Sequence, residues 1–376
     1  MRAHIKLGIP FSFLILFWTS SFLQIKKDRV YEVPDKIHDG WTVSSLAKEG
    51  LKTDEITNFA SRILNGEFSG IRSFLIIKNG RLVFEDYFGG SKRDDLFTVF
   101  SVSKSVTSAL IGIAIDKGFI KSTDATVAEY FPEYEEVFRN TQKSRMTLSQ
   151  LLTLTSGVDW DEGTYSYEDS RNIHVQMEST QNWIRFILNR PMKDVPGTKW
   201  LYNTGNVQLL SAIVRKATGI HLNKFAEKYL FEPLGITEYS WNSDPQGYTC
   251  AGGSDGGLRI RARDLAKIGS LYLNQGRWSG KDILSREWIE LSLKRHVSIR
   301  GNAGYGYLWW ATQVRQGDKL FDVFYATGFG GHRIYLIPGL NMQIVQNSSG
   351  ENSFEPLKII VGKGDGLDQQ SSTVRR

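Results

Sequence analysis

The chain has 376 residues and a formal net charge of +6, and 41% of its residues are hydrophobic. This length and apolar content allow a large buried core and exclude a disordered or fibrous protein. The single cysteine, Cys250, excludes an internal disulfide, and the six histidines show no familiar metal-ligand spacing. We therefore expect no metal and no cofactor. The basic residues form no stripe interleaved with aromatic residues, so we expect no nucleic acid partner.

Residues 1–29 are predicted to form a signal peptide or a membrane anchor. Arg2 and Lys6 precede an uncharged stretch, residues 7–25, that is just long enough to span a bilayer. The segment has no clear Ala-x-Ala cleavage site, so cleavage near residues 19–22 and retention as an anchor both remain open. We expect the rest of the chain to be exported to the periplasm or another extracytoplasmic compartment, with membrane contact through this segment if it is retained.

The remaining chain alternates between strand-like and helical patterns. Two β-type runs, residues 71–77 and 82–88, are joined by Lys78-Asn79-Gly80-Arg81, which predicts a hairpin. Helices are predicted at residues 101–118, 147–154, 180–189 and 208–217, the last stopped by Gly219. Strands are predicted at residues 304–312, 320–325, 333–337 and 341–346, before a short segment at 353–361.

This order of elements predicts an α/β (α+β) protein with one sheet assembled from both ends of the chain. We expect one domain at residues 30–361, with sheet parts at about 65–100 and 255–361 and a helical insert at about 101–254. Residues 362–376 are predicted to be a disordered tail.

Ser101 and Lys104 are predicted to lie on one face at the start of a helix, because they are three residues apart. A lysine amine can take the serine proton if desolvation or cationic neighbours keep the amine neutral. The same spacing recurs at Ser45 and Lys48, and an ordinary N-cap serine is the alternative reading of Ser101. The long apolar helix after Ser101, at the junction of helices and sheet, favours a nucleophile in a cleft.

Five sequence blocks occur in a recognisable order: FSVSKSVTS (100–108), LLTLTSGVDW (151–160), PGTKWLYNTGN (196–206), GYGYLWW (304–310) and ATGFGGH (326–332). Together they resemble the serine hydrolase superfamily of penicillin-recognising enzymes. The similarity points to its class C β-lactamase-related branch, which includes esterases and 6-aminohexanoate-dimer hydrolases, and it spans about residues 69–361. It implies a β-lactamase/transpeptidase-like fold with an antiparallel sheet and a helical insert.

The resemblance also implies roles for individual residues. Ser101 corresponds to the nucleophile, Lys104 to its lysine, and Tyr202 to a tyrosine that relays the proton, with a pKa that we expect the ammonium to lower. The backbone N–H groups of Ser101 and Phe329 correspond to the oxyanion hole.

The substrate-binding residues implied or suggested are Thr204, Trp160, Tyr305, Trp309, Thr327 and Gly328. Two departures from the family pattern put classical β-lactam or D-Ala-D-Ala recognition in doubt. Ala326 stands where relatives carry a cation, and Thr204 where many carry an asparagine. His332 is a candidate for the missing polarity, whereas we expect Arg333 to be an exposed charge.

The sequence therefore predicts an exported serine hydrolase that cleaves a small-molecule ester or amide through an acyl-enzyme on Ser101. A β-lactamase or D-Ala-D-Ala carboxypeptidase, and a catalytically silent protein that binds an envelope ligand, are the alternatives. A Gly-x-Ser-x-Gly match at 252–256, followed by Asp322 and His332, has the order of an α/β-hydrolase triad. We interpret it as accidental, because a turn and not a buried strand precedes it.

Overall fold

The computed structural model describes residues 27–350 and 353–362. The uncharged stretch at residues 7–25 and residues 363–376 of the predicted tail lie outside the described residues. Among the residues that the structure describes, no helix combines the length and the apolar character needed to cross a bilayer. The predicted domain boundaries stay a prediction.

The described part of the chain is organised around an eight-stranded antiparallel sheet with the order β2-β1-β13-β12-β11-β10-β9-β8. A smaller sheet has the order β3-β5-β4, and β6 pairs with β7. The strands are β1 (Ile71–Lys78), β2 (Arg81–Tyr87), β3 (Phe97–Thr98), β4 (Tyr239–Trp241), β5 (Leu258–Ile260), β6 (Arg277–Trp278), β7 (Lys281–Asp282), β8 (Val297–Ser298), β9 (Gly304–Tyr305), β10 (Trp310–Gln316), β11 (Lys319–Gly328), β12 (His332–Ile337) and β13 (Met342–Ser348).

The predicted hairpin and the origin of the sheet from both chain ends are confirmed. Strands β1 and β2 pair through a two-residue turn in which Asn79 and Gly80 have φ values of 52° and 72°. Positive φ at both central positions is typical of the turn that Asn-Gly favours. Strand β1 also pairs along its whole length with β13, so the first and last strands of the described residues lie side by side.

The single strand predicted at residues 304–312 is wrong. The structure has two strands there, β9 and β10, separated by a loop in which Leu308 has a φ of 61°. The backbone N–H groups of Tyr307 and Leu308 donate to the carbonyls of Ser292 (2.8 Å) and Leu152 (3.0 Å). These groups therefore bond to helical segments and not to a strand ladder.

The helices cover the sheet and fill the middle of the chain. They are α1 (Thr53–Leu64), α2 (Val102–Asp116), α3 (Glu135–Phe138), α4 (Leu148–Leu152), α5 (Ile173–Glu178), α6 (Trp183–Asn189), α7 (Thr204–Thr218), α8 (Leu222–Ala226), α9 (Glu232–Leu234), α10 (Ala262–Leu273), α11 (Arg286–Leu293) and α12 (Glu355–Ile360). Gly219 ends α7 in the left-handed conformation, as predicted. Helices α1, α10 and α11 were not predicted; α10 packs its apolar side on β12 and β13.

Helix α2 is the central element of the fold. Every residue from Val102 to Ala114 is buried, which is the pattern of a helix enclosed on all sides. It packs against β11 and α7. The start of α2 is thereby held where the sheet meets the helical layer.

Candidate active site

Ser101 and Lys104 meet at the start of α2, as their spacing predicts. Ser101 is the residue that precedes the helix, and the Nζ of Lys104 lies 2.9 Å from its Oγ. Phe100 has a φ of 47°, which is uncommon for a bulky residue and turns the chain sharply before the serine. The hydroxyl and the amine are in hydrogen-bond contact.

The Lys104 amine is buried among oxygen atoms. Its Nζ contacts the Oγ1 of Thr204 at 3.0 Å and the backbone carbonyl of Gly252, and the residue is 2% exposed. Burial lowers the pKa of Lys104 to about 8, although the Glu162 carboxylate opposes this shift. At neutral pH the neutral amine is therefore a minor form, but it is far more abundant than for a lysine exposed to water.

Tyr202 stands beside this pair, with the centre of its ring 4.9 Å from the Nζ of Lys104. Burial, followed by the charge of Glu162, raises the pKa of Tyr202, and a hydrogen bond with Ser101 only partly opposes the rise. The expectation that the ammonium lowers this pKa is thus wrong, because desolvation of the phenolate and the Glu162 charge determine the direction of the shift. Tyr202 stays a phenol near neutral pH.

The end of β11 lies against the start of α2. A Cβ built on Gly328 would sit 2.2 Å from the carbonyl oxygen of Val99 and 3.3 Å from the backbone nitrogen of Ser101, so only glycine allows this approach. Within the described residues, neither the N–H of Ser101 nor that of Phe329 donates to another backbone carbonyl. Their assignment to an oxyanion hole stays a prediction that this arrangement permits.

A cavity of about 400 Å³ opens over Ser101. Of the predicted substrate-binding residues, Thr204, Thr327 and Gly328 line it, as do Tyr202 and Phe329. The Phe329 side chain is 51% exposed at the cavity. Aromatic rings supply much of the remaining wall; they belong to Phe100, Tyr167, Trp200 and Trp310.

Trp160, Tyr305 and Trp309 do not line the cavity, so their prediction as its wall is wrong. All three are fully buried. Trp160 donates to Glu162 through its Nε1, and Trp309 packs on Tyr272 with ring centres 4.7 Å apart. Tyr305 packs edge-on against two rings that do line the cavity, those of Trp200 and Trp310. The three residues therefore support the wall from behind.

Glu162 is a candidate functional residue that the sequence analysis missed. It lines the cavity, yet it is only 3% exposed. Its carboxylate accepts hydrogen bonds from the N–H of Thr204 at 2.9 Å, the hydroxyl of Thr204 at 2.8 Å and the hydroxyl of Tyr167 at 3.3 Å. The sequence does contain one indication of this residue: Glu162 is an acidic residue two positions after Trp160, and Trp160 is the last residue of the block at 151–160.

The glycine-rich run at residues 252–256 belongs to the site without supplying a nucleophile. Gly252 accepts from Lys104, while Ser254 is fully buried in a short turn. Asp322 pairs with Gln313 on the surface, and His332 is buried and contacts Asn347 at 3.1 Å. The ladder sets His332 opposite Gly328, at the other end of β11 from Asp322, so these residues form no triad.

His332 and Arg333 supply no charge to the cavity. Burial lowers the pKa of His332 to about 4, which leaves the ring neutral. Arg333 was predicted to be exposed, but it is 3% exposed. Its Nη1 donates to the carbonyl of Ser353 at 2.9 Å, and its guanidinium lies 4.4 Å from the ring centre of Phe354. The arginine therefore packs against the residues that precede α12.

Comparison with known proteins assigns the family. A model of the β-lactamase family matches residues 67–359. The chain belongs to the β-lactamase family. The curated relatives include the 6-aminohexanoate-dimer hydrolase of Paenarthrobacter ureafaciens, which is 25% identical over 300 residues and matched over 74% of this chain and 72% of its own length.

Another relative matches less of the chain, and the solved structures of similar fold include one that matches at lower identity. Esterase EstB of Burkholderia gladioli is 27% identical over 153 residues, which cover 39% of this chain and 38% of the esterase. A class C β-lactamase structure superposes with a TM-score of 0.61 at 16% identity and covers 82% of this chain and 94% of its own. These matches confirm the predicted superfamily and fold, and the chain is a serine hydrolase of the β-lactamase family.

Proposed function

We propose that this protein is an exported hydrolase that cleaves an ester or amide bond of a small molecule through an acyl-enzyme on Ser101. The observation that carries the proposal is the contact of 2.9 Å between the Lys104 amine and the Ser101 hydroxyl at the cavity. A buried lysine with a pKa near 8 is matched to accept a proton from the serine as the serine attacks.

The proposed reaction has two halves. The Ser101 Oγ bonds to the substrate carbonyl carbon while its proton passes to Lys104, and the carbonyl oxygen becomes an oxyanion that the N–H groups of Ser101 and Phe329 stabilise. The bond to the leaving group then breaks, the leaving group takes a proton, and the acyl group remains on Ser101. Water attacks this ester, releases the acid and returns the proton to Ser101.

Tyr202 is the proposed donor to the leaving group. Because burial keeps it a phenol, it can give its proton to the departing oxygen or nitrogen and regain one from the Lys104 ammonium. Stacking on Trp310, with ring centres 6.2 Å apart, holds the phenol in place. Lys104 then acts as the base and Tyr202 as the acid.

The lining of the cavity favours an uncharged acyl group over a β-lactam carboxylate. Ala326 is buried in β11 where relatives carry a cation, and no lysine or arginine is among the described residues that line the cavity. Its carboxylates and aromatic rings do not attract an anionic substrate. The relatives named as an esterase and as a 6-aminohexanoate-dimer hydrolase support cleavage of an ester or amide bond. Export rests on the sequence of residues 1–29 alone.

The loop that carries Gly253 is expected to be essential for the position of Ser101. A Cβ on Gly253 would lie 2.6 Å from the carbonyl carbon of Phe100 and 2.7 Å from the nitrogen of Ser101, and its φ is 96°. Gly253→Ala is therefore expected to lower kcat/KM about tenfold to a hundredfold, because small displacements of a nucleophile are costly. Ester hydrolysis by the purified variant measures this.

Gly66→Ala is the matched control for that variant. Gly66 has a φ of 88° and open space around a built Cβ, so alanine there meets the same backbone strain without a clash. We expect it to lower stability by about 1 kcal/mol and to leave kcat/KM unchanged. Equal activity losses in both variants would show that backbone strain and not contact with Ser101 is responsible.

The experiment that tests the function combines labelling with a substrate panel. The protein is treated with a fluorophosphonate, and mass spectrometry of its peptides locates the modified residue, which we expect to be Ser101. Hydrolysis of p-nitrophenyl acetate and butyrate, nitrocefin and a D-Ala-D-Ala peptide is then compared. We expect turnover of the esters.

Each other outcome has a distinct meaning. Turnover of nitrocefin or the peptide would show that the missing cation at Ala326 is replaced elsewhere and would favour the β-lactamase or carboxypeptidase alternative. Absence of both labelling and turnover would overturn the proposal in favour of a silent binding protein of the same fold.

A further inference from the structure

Four groups form a continuous hydrogen-bonded chain from Glu162 to the candidate nucleophile. The Glu162 carboxylate accepts from the Thr204 hydroxyl at 2.8 Å, the Thr204 oxygen contacts Lys104 at 3.0 Å, and Lys104 contacts Ser101 at 2.9 Å. Glu162, Thr204 and Lys104 are all buried. Buried polar groups of this kind have few alternative partners, so the direction of each hydrogen bond matters.

The donors and acceptors in this hydrogen-bonded chain of four groups can be assigned from chemistry alone. An ionised carboxylate has no proton to give, so the single proton of the Thr204 hydroxyl points to Glu162. The Thr204 oxygen can then only accept from Lys104, and the carbonyl of Gly252 can also only accept.

This assignment determines how a neutral Lys104 amine is oriented. A neutral amine has two N–H bonds and one lone pair. The two N–H bonds are directed to Thr204 and Gly252, and the lone pair is therefore directed to the Ser101 hydroxyl. That is the orientation needed to accept the serine proton.

We propose that Glu162 is a positioning residue, which orients the Lys104 lone pair toward Ser101 by fixing the direction of the Thr204 hydroxyl. The inference rests on the proposed roles of Ser101 and Lys104. Without the carboxylate, the Thr204 hydroxyl can turn its proton toward Lys104 and occupy the lone pair that Ser101 needs.

Glu162 also acts on the amine through its charge. Among the described residues it is the one charge that shifts the pKa of Lys104, and it raises this pKa against the effect of burial. Tyr202 faces the amine through its ring. The other ionisable groups that line the cavity are Asp161, Tyr167, Glu168, His174, Glu178 and Asp255. Removal of the Glu162 charge should therefore lower the pKa of Lys104.

Glu162 also has a structural contact, at the start of α7, that the test must distinguish from its proposed effect on Lys104. The backbone N–H of Thr204, which begins α7, also donates to Glu162, so the carboxylate caps a helix N-terminus. A residue that served only as a cap would affect the melting temperature when replaced, but it would not move the pH dependence of the chemistry.

The test is the rate of fluorophosphonate labelling as a function of pH, from about pH 5 to pH 10, with the melting temperature of each variant. For the unaltered protein the rate should rise through the Lys104 pKa, at about pH 8, because only the neutral amine accepts the proton. In Glu162→Gln the midpoint should fall by about one pH unit, and the plateau rate should fall about tenfold or more.

Three further variants complete the test. Thr204→Val keeps the charge of Glu162 and its contact with the backbone N–H, so the plateau should fall while the midpoint stays near pH 8. Thr204→Ser should restore most of the rate lost in Thr204→Val. Asp169→Asn removes a carboxylate of the same chain segment that pairs with Arg171 on the surface, and neither midpoint nor plateau should change.

The outcomes separate this inference from the proposed function. A labelled protein whose Glu162→Gln variant keeps both midpoint and plateau, or loses only melting temperature, overturns the inference alone. A full labelling rate in Thr204→Val also overturns it, and this holds even if Glu162→Gln does not fold. An unlabelled parent protein overturns the proposed function together with the inference.

Discussion

Ser101→Ala and Lys104→Met are each expected to lower kcat/KM for p-nitrophenyl acetate by about 10³- to 10⁴-fold, and the double variant should lose no more than either. The two groups are in contact at 2.9 Å. In the proposed mechanism they act as one unit, because the hydroxyl is a weak nucleophile without the amine and the amine has no other role in the attack. Steady-state hydrolysis by the three variants measures this.

Lys143→Met is the matched control for the loss of a buried lysine. Lys143 is 7% exposed, its Nζ donates to the carbonyl of Leu188 at 2.5 Å, and burial lowers its pKa as it does that of Lys104. It is not among the residues that line the cavity, so Lys143→Met should keep its activity. Additive losses in the double variant of Ser101 and Lys104 would contradict a shared role.

Tyr202→Phe is expected to discriminate between good and poor leaving groups. Ethyl butyrate releases a strongly basic alkoxide, so loss of the phenol proton should lower its kcat/KM about 10²- to 10⁴-fold. p-Nitrophenyl butyrate carries the same acyl group but its leaving group departs without a proton, so its rate should fall about tenfold at most. Parallel assays of both esters measure the difference.

The Tyr202→Phe variant keeps an aromatic ring at this position and therefore keeps the packing on Trp310. A general defect in folding or binding would lower both rates equally. Equal losses for the two esters would therefore show that Tyr202 is not the donor to the leaving group, and a larger loss for the p-nitrophenyl ester would assign Tyr202 to the attack step.

The sequence predicted best what depends on short-range geometry. The Asn79-Gly80 turn, the end of α7 at Gly219 and the meeting of Ser101 with Lys104 each follow from local backbone preferences or from helix spacing. The family resemblance added Tyr202 and Phe329, which are distant in sequence but lie at the same cavity.

The sequence did not predict which aromatic side chains line the cavity, because this depends on the tertiary structure around each residue. Trp309 and Trp310 are adjacent, but Trp309 lies in the loop between β9 and β10, whereas Trp310 is the first residue of β10. The loop before β10 places Trp310 at the cavity and Trp309 in the core. Nothing in the local sequence pattern indicates which of the two tryptophans lines the cavity, because both side chains are apolar and both become buried.

The pKa of Tyr202 and the position of Glu162 were missed for a related reason. A nearby ammonium lowers the pKa of a phenol, but burial raises it, and the balance depends on how much water the finished fold leaves. Glu162 lies 42 residues from Thr204 in the chain, and only the closed structure shows that its carboxylate reaches the start of α7.

The pairing of β1 with β13 has a consequence for synthesis of the protein. The ladder joins Ile71 to Ser348, so the sheet that supports α2 cannot close until the chain has been made as far as Ser348. Phe329, beside the cavity, is also added late. A nascent chain that already displays Ser101 and Lys104 therefore lacks the surroundings that shield the amine from water, and its lysine stays protonated. Under the proposed function, we therefore expect that the growing polypeptide does not form an acyl-enzyme before its fold is complete.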